Sequence, residues 1–305
     1  MSKTFKLAAV AALCAVAAAA HAEVKFDANI EFDTTYTDAR SNPVAKSSTD
    51  LGGRVELNAN AELARNGDYF VNGRASLIVP VNGNEVHMDD AWLQFGSSQV
   101  DFKLGRFEAV DLFPLGMDTV VMPADGTGYR ANMLRGRVTD GRFHGALGFN
   151  AAPGLRFEVG MVAEKAGNEN ASGFRPAVVY SQGDLTLRAG LEALQNNAVI
   201  PGADSTGVGL SVGYALAKDT MINANYAHNN KLDATSVGAN AVIGALGLGY
   251  VQDKTGSNSV DTVYAAYKLP LLGVKGAFIT PALSFSKGDK VDDLVAFRVR
   301  LNYQF

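Results

Sequence analysis

Leu294-Val-Ala-Phe-Arg-Val-Arg-Leu-Asn-Tyr-Gln-Phe305 decides the fold of this 305-residue chain. Successive side chains of a β-strand point to opposite faces, so one face of this stretch is apolar and ends on the aromatic Phe305. The other face carries Arg298, Arg300 and Asn302. A strand of this kind is suited to a barrel wall between lipid and water. Because the alternation recurs along most of the chain, we predict an all-β, transmembrane antiparallel β-barrel.

The N-terminus has the pattern of an export signal. Lys3 and Lys6 precede an apolar run over residues 7–20, and Ala20-His21-Ala22 follows as a small-residue cleavage site. We therefore expect residues 1–22 to be a cleaved signal peptide and residues 23–305 to form a single barrel domain.

Composition and charge exclude several classes of protein. The single cysteine, Cys14, lies in the predicted signal peptide, so residues 23–305 contain no disulfide, thiol nucleophile or thiolate metal ligand. Loss of Lys3 and Lys6 takes the formal charge from −4 to −6. This mild acidity gives no support to a nucleic-acid partner. We expect no cofactor and no metal site.

Clusters of Gly, Asn, Asp and Ser separate the alternating segments, as in consecutive hairpins. No segment after residue 22 approaches the ~20 apolar residues of a transmembrane helix. The pattern predicts sixteen strands, near residues 24–37, 51–65, 68–80, 85–96, 99–107, 129–139, 142–151, 154–165, 173–181, 184–194, 205–217, 219–229, 235–252, 259–269, 274–286 and 292–305. Residues 236–251 fit one long strand or two short ones, and a fourteen-stranded barrel is the alternative.

The polar faces of these segments are highly charged. Lys25, Asp27 and Glu31 share one face of the first segment, and Arg54 and Glu56 share one face of the second. Unpaired charges are costly in a dry core, whereas a water-filled lumen solvates them. The alternative is a soluble two-sheet sandwich with its polar face outside.

One long segment, residues 108–127, breaks the hairpin rhythm. Pro114, Gly116 and Pro123 exclude a regular strand. We expect this segment to fold into the barrel and narrow the pore, burying Val110, Leu112, Phe113, Val120 and Val121 against the wall. Three acidic residues would then line the pore: Asp111, Asp118 and Asp125. The alternative is an ordinary loop lying over the rim.

The chain resembles the outer-membrane porin family of Gram-negative bacteria. The resemblance is carried by Asp90–Gly96, the turn Ser97-Ser98, and Val100–Arg106 with its terminal Gly-Arg pair, which the long loop follows. It implies an outer-membrane channel for passive diffusion of small hydrophilic solutes and ions. It also implies contact with membrane lipid and lipopolysaccharide, a homotrimer, and recognition of Phe305 by the barrel-assembly machinery.

The acidic Pro-Glu-Phe-Gly-type loop motif of enterobacterial general porins is absent, and Phe113-Pro-Leu-Gly-Met-Asp118 stands in its place. A glycoporin that conducts oligosaccharides is therefore the alternative within the family.

Charged side chains could filter solutes through a transverse field. We expect a basic wall of Arg54, Arg74, Arg135 and Arg298 to face the acidic loop residues, with Arg137 close by. Inward arginines are predicted at positions 54, 74, 135, 137, 156, 188, 298 and 300. The alternative is that these arginines pair with acidic residues on adjacent strands and support the wall.

Trp92 is a candidate sugar contact. It shares the inward face with Asp90 and Gln94 if Leu93 and Phe95 face lipid. Pyranose rings stack on aromatic faces, and polar neighbours bind their hydroxyls. The alternative places Trp92 in the interfacial aromatic girdle of the barrel.

Enzymatic function has little support. His87, His144 and His228 are scattered, and no hydrolase or metalloprotease motif is present. We expect no enzyme; a barrel hydrolase and a non-conducting structural barrel are remote alternatives.

Overall fold

The computed structural model describes residues 23–39, 47–83, 85–121, 128–137, 142–166, 169–195, 204–289 and 293–305. These residues form one antiparallel sheet in which each strand pairs with the next in sequence. The strands are β1 Val24–Ala39, β2 Ser48–Asn66, β3 Tyr69–Pro80, β4 His87–Gly96, β5 Val100–Arg106, β6 Arg142–Ala152, β7 Leu155–Ala166, β8 Glu169–Gln182, β9 Leu185–Gln195, β10 Thr206–Ala217, β11 Thr220–Asn229, β12 Ala234–Ile243, β13 Leu246–Thr255, β14 Asn258–Tyr267, β15 Leu269–Pro270, β16 Ala277–Gly288 and β17 Leu294–Gln304.

The sheet closes on itself because β1 pairs with β17, from Asn29 opposite Gln304 to Ala39 opposite Leu294. The two-residue β15 continues the edge of β14, and both pair with β16. Sixteen spanning strands therefore form a closed barrel, as predicted, and the fourteen-stranded and sandwich alternatives are wrong. Below, the terminal end is the end where β1 begins and β17 finishes, and the loop end is the opposite one.

The strand predicted over residues 129–139 is wrong. Residues 128–137 form no strand, and Gly128, Ala131, Gly136 and Arg137 have positive φ values of 113°, 51°, 108° and 57°. Extended backbone does not adopt these angles. The apolar side chains of this segment pack inside the barrel, so its pattern did not arise from a lipid-facing strand.

Of the two alternatives for residues 235–252, one long strand or two short ones, the second is confirmed. The two strands are β12 and β13, joined by a tight turn at Gly244, whose φ is 59°. This turn lies within an apolar run and has no polar cluster to mark it. The predicted total of sixteen is correct because the missing strand at residues 129–139 is offset by the two strands of residues 235–252.

Lipid-facing and lumen-facing side chains alternate as the sequence predicts. On β17, Phe297, Leu301 and Tyr303 are exposed on the outer surface, whereas Ala296 is buried inside. Four of the seven exposed tyrosines of the described residues lie at the terminal end of the outer surface, where an interfacial girdle would lie: Tyr69, Tyr214, Tyr267 and Tyr303. Within the described ranges, no helix is long and apolar enough to cross a membrane.

Candidate functional site: a ring of ion pairs closed by an inward loop

The segment between β5 and β6 folds into the barrel; we call residues 107–121 and 128–137 the inward loop. Leu112 has no exposed surface, and Phe113 and Val120 are also buried. Leu112 and Phe113 belong to a core with wall residues that include Ala177 and Val251. The predicted inward packing is confirmed and the rim alternative is wrong, although Val110 and Val121 are only partly buried. The loop also extends beyond the predicted residues 108–127, because β6 begins at Arg142.

Glycines on the inner wall make room for the loop. A Cβ at Gly190 would lie 2.6 Å from Leu112 Cδ1, and one at Gly209 would lie 2.8 Å from Leu112 Cβ. Gly238 and Gly247 meet Phe113 and Met117 in the same way. The inward positions of β9 to β13 include several glycines, whereas the inward positions of β1 and β2 carry charged residues. These glycines were the sequence signal for the surface on which the loop docks, and our sequence analysis missed it.

Polar wall residues bind the backbone of the first arm of the inward loop, residues 107–121. The side-chain amides of Asn225 and Asn240 donate to the Pro114 carbonyl over 2.8 and 2.7 Å. The Tyr264 hydroxyl donates to the Leu115 carbonyl over 3.0 Å. These bonds satisfy carbonyls that the loop cannot pair within itself, and they hold the arm against β11, β12 and β14.

The returning arm of the inward loop, residues 128–137, is attached to two buried carboxylates. The Tyr129 hydroxyl donates to Glu192 over 2.7 Å, and burial raises the pKa of Tyr129, so its hydroxyl stays protonated. Arg130 pairs with the buried Asp253 at 3.0 Å. Glu192 also pairs with Arg175. The sequence analysis identified none of these anchors, because each joins residues far apart in the chain.

Eleven charged side chains of the lumen form one continuous series of ion pairs, which we call the ion-pair ring. Acidic and basic groups alternate along it, and successive N···O distances are 2.6 to 3.7 Å. Its members, in order, are Asp118, Arg300, Glu31, Arg54, Glu56, Arg74, Asp90, Arg137, Glu108, Arg135 and Asp111. Arg298, Asp33 and Asp89 are attached to it through Asp118, Arg300 and Arg137. Loop residues 111–118 complete the circle.

Most predicted pore residues lie in this ring. Arg54, Arg74 and Arg298 lie on the strand wall, and Asp111 and Asp118 on the loop. Arg135 and Arg137 also belong to it, but they lie on the inward loop, not on a following strand. The arrangement differs from the expected basic wall facing an acidic loop, because each arginine is paired with a neighbouring carboxylate. Asp125 lies outside the described residues.

Trp92 points into the lumen on β4. Its ring lies 3.9 Å from the Lys103 ammonium nitrogen. Asp90 pairs with Arg74, and Gln94 donates to Asp101 over 2.9 Å, so both predicted companions share the inward face. A cavity of about 610 Å³ next to Trp92 is also lined by Asn60, Glu62 and Asn72. The described residues contain no cluster of His, Cys, Asp and Glu that could hold a metal ion.

Comparison with known proteins agrees with this architecture. A family profile described as porin-like glycoporin RafY matches residues 21–165. An engineered variant of the Rhodopseudomonas blastica porin has a TM-score of 0.61 at 13% identity, covering 92% of this chain and 100% of its own. A triple mutant of the same porin has a TM-score of 0.60 at 12% identity, with the same coverage. No curated protein matches the sequence. Residues 21–165 are therefore similar in sequence to a porin family, and the described barrel has the fold of solved porins.

Proposed function

We propose that this porin is an outer-membrane channel through which small hydrophilic solutes and ions diffuse passively, with the ion-pair ring as its narrowest point. The observation that carries the proposal is the continuity of the ring. The charges of β17, β1, β2, β3 and β4 meet those of the inward loop at both Asp118 and Asp111. A solute that diffuses along the lumen passes the ion-pair ring.

The charge of the ring favours cations weakly. Its described members comprise six arginines and eight carboxylates, a formal charge of −2. Because the two signs alternate around the belt, most of the field cancels within a few ångströms. Salt screens the remainder. We therefore propose a modest cation preference that decreases as ionic strength rises.

Passage of oligosaccharides is the second candidate. The matching family profile describes a glycoporin, and Trp92 faces the lumen beside side chains that could bind sugar hydroxyls. Aromatic rings with polar neighbours suit pyranose binding. Lys103 occupies part of the ring surface at 3.9 Å, which limits stacking to the remaining face.

The proposal extends to the surroundings of the barrel. We propose that the outer surface contacts membrane lipid and lipopolysaccharide, that Phe305 serves as the signal for the barrel-assembly machinery, and that the protein assembles as a homotrimer. Phe305 extends the pairing of β17 with β1, exchanging backbone hydrogen bonds of 3.0 and 3.2 Å with Ala28, and its ring is exposed. An exposed terminal aromatic is accessible to a recognition partner.

The experiment is single-channel recording of residues 23–305 in planar bilayers, first under a KCl gradient and then with maltose or raffinose. A stable conductance with a small cation preference supports the diffusion channel. Saturable block by a sugar that Trp92→Ala weakens supports the glycoporin. Absence of conductance from correctly folded protein contradicts both.

A further inference from the structure

Arg188 on β9 is an inward arginine that has no carboxylate partner among the described residues. Its strand neighbours Gly190 and Glu192 contact the inward loop, whereas Leu187 and Leu191 are exposed on the outer surface. No carboxylate of the described residues lies within 4.0 Å of its guanidinium, and its Nη1 is buried without a hydrogen-bond partner. Six other inward arginines of the strands each have such a carboxylate: Arg54, Arg74, Arg156, Arg175, Arg298 and Arg300.

Two further polar groups without partners lie beside it. Arg188 is directly opposite Ser211 on β10, and Ser211 is opposite Asn225 on β11. Ser211 is 2% exposed and Asn225 is 5% exposed. The Ser211 hydroxyl and the Asn225 Oδ1 form no hydrogen bond with the described residues. Buried polar atoms normally have partners, and these three belong to residues directly opposite one another on three consecutive strands.

The inward loop covers Arg188, Ser211 and Asn225, which we call the row. Leu112 packs over Gly190, the next inward residue after Arg188, and the Pro114 carbonyl accepts a hydrogen bond from Asn225. A Cβ at Gly213 would lie 3.8 Å from Arg188 Nη1, an ordinary contact distance, and 2.8 Å from Asn223 Oδ1, so the Asn223 amide also lies close to Arg188. The row therefore lies under the first arm of the loop, on the side of the terminal end.

The nearest charged neighbours are already satisfied. Across Val179, Arg156 makes an ion pair of 2.7 Å with Asp101. Glu158, on the same strand, accepts a hydrogen bond from the Val110 backbone N–H over 3.2 Å. A cavity of about 670 Å³ is lined by Arg156, Glu158 and Val179, and Val179 is directly opposite Arg188 on β9.

We propose that Arg188, Ser211 and Asn225 form a binding site for a small oxyanion that also carries a hydroxyl group. The guanidinium and the Ser211 hydroxyl donate to the anionic oxygens, as in charge-assisted pairs. The Asn225 Oδ1 accepts from the hydroxyl of the ligand. Hydrogen phosphate and hydroxycarboxylates have both features. The site is separate from the ion-pair ring, and a solute would reach it next to the constriction.

The proposal rests on the channel function, and one assay separates the two. KCl conductance of the protein of residues 23–305 reports the channel, and its decrease on titration with inorganic phosphate at constant ionic strength reports the site. We expect saturable block by phosphate, with an apparent affinity about tenfold or more weaker in Arg188→Gln, as expected for loss of a charge-assisted hydrogen bond. Arg188→Lys should retain part of the affinity, and Ser211→Ala should weaken it by a smaller factor.

Arg156→Gln is the matched control, because it removes the same charge from an arginine that is already paired. It should leave the phosphate affinity within about twofold of the parent, because the Arg156 guanidinium is bound to Asp101 and not to Ser211 or Asn225. Glycolate should block more strongly than acetate, which lacks the hydroxyl. Circular dichroism confirms that each variant is folded. Absence of saturable block in a conducting channel, or an equal loss in Arg156→Gln, overturns the proposal.

Discussion

Arg175 Nε lies 3.1 Å from Glu192 Oε1, and neither side chain has any exposed surface. The same guanidinium donates to the carbonyls of Val110 and Ala131 over 3.0 and 3.1 Å, on the two arms of the inward loop. Glu192 accepts from Tyr129 on the returning arm. One buried ion pair in the wall therefore holds both arms of the loop that forms the constriction.

Breaking this pair should loosen the loop. Arg175→Ala leaves the Glu192 carboxylate buried without its partner, a change that typically costs about 3–5 kcal/mol. We expect a lower thermal midpoint in detergent and faster cleavage of the loop by an added protease. The double variant Arg175→Met with Glu192→Leu removes both charges and should lie closer to the parent. Equal stability and cleavage in Arg175→Ala and the parent would show that the pair does not anchor the loop.

Removing the first arm should widen the pore. Deletion of residues 110–121 takes away the residues that cross the lumen, while every strand pairing of the barrel remains. We expect a larger single-channel conductance in planar bilayers. Heat-dependent mobility in gel electrophoresis checks that the barrel is folded. A folded deletion variant that conducts no more than the parent would mean that the loop is not the constriction.

A side chain on the docking surface should displace the loop. Gly209→Val places its Cβ 2.6 Å from the Ala131 Cβ and 2.8 Å from the Leu112 Cβ, too close for either contact. We expect altered conductance and greater protease sensitivity of the loop, with the barrel retained. Gly52→Ala is the control, because no atom lies within 4 Å of its added Cβ. Similar behaviour of the two variants would contradict the docking geometry.

Single substitutions in the ion-pair ring should change ion selectivity in opposite directions. Arg54→Gln removes a positive charge and should strengthen the cation preference, whereas Asp118→Asn should weaken it. Reversal potentials under a KCl gradient measure both effects, which should decrease at high salt. Arg65→Gln is the control, because Arg65 pairs with Glu62 outside the ion-pair ring, and both side chains are about half exposed. Shifts as large in Arg65→Gln would mean that the ring does not control selectivity.

The positions that the sequence predicted well are those on alternating strands. Phe297 and Leu301 face outward, and Arg54, Arg74 and Trp92 face the lumen, because a strand places successive side chains on opposite faces whatever its neighbours are. Prediction failed over residues 129–139, where apolar spacing matched a strand although the segment packs on glycines of the inner wall.

The partners of the site residues were also beyond prediction. Asp118 and Arg300 are separated by most of the chain, and only closure of β17 on β1 brings Arg300 to the loop. Likewise, the buried position of Arg175 follows from the loop that covers it, and Arg188 lacks a carboxylate because the strands next to it contribute Val179 and Ser211.

By itself, the sequence determined the class of fold, the inward or outward direction of each strand residue, and the presence of a loop too apolar to remain in solvent. Those properties depend on local periodicity and on the cost of exposing apolar groups or burying charges. Only the tertiary structure decided which wall the loop covers, which charges pair, and which inward arginine has no carboxylate partner among the described residues. These depend on contacts between strands and loop residues distant in sequence, which become neighbours only when the barrel closes.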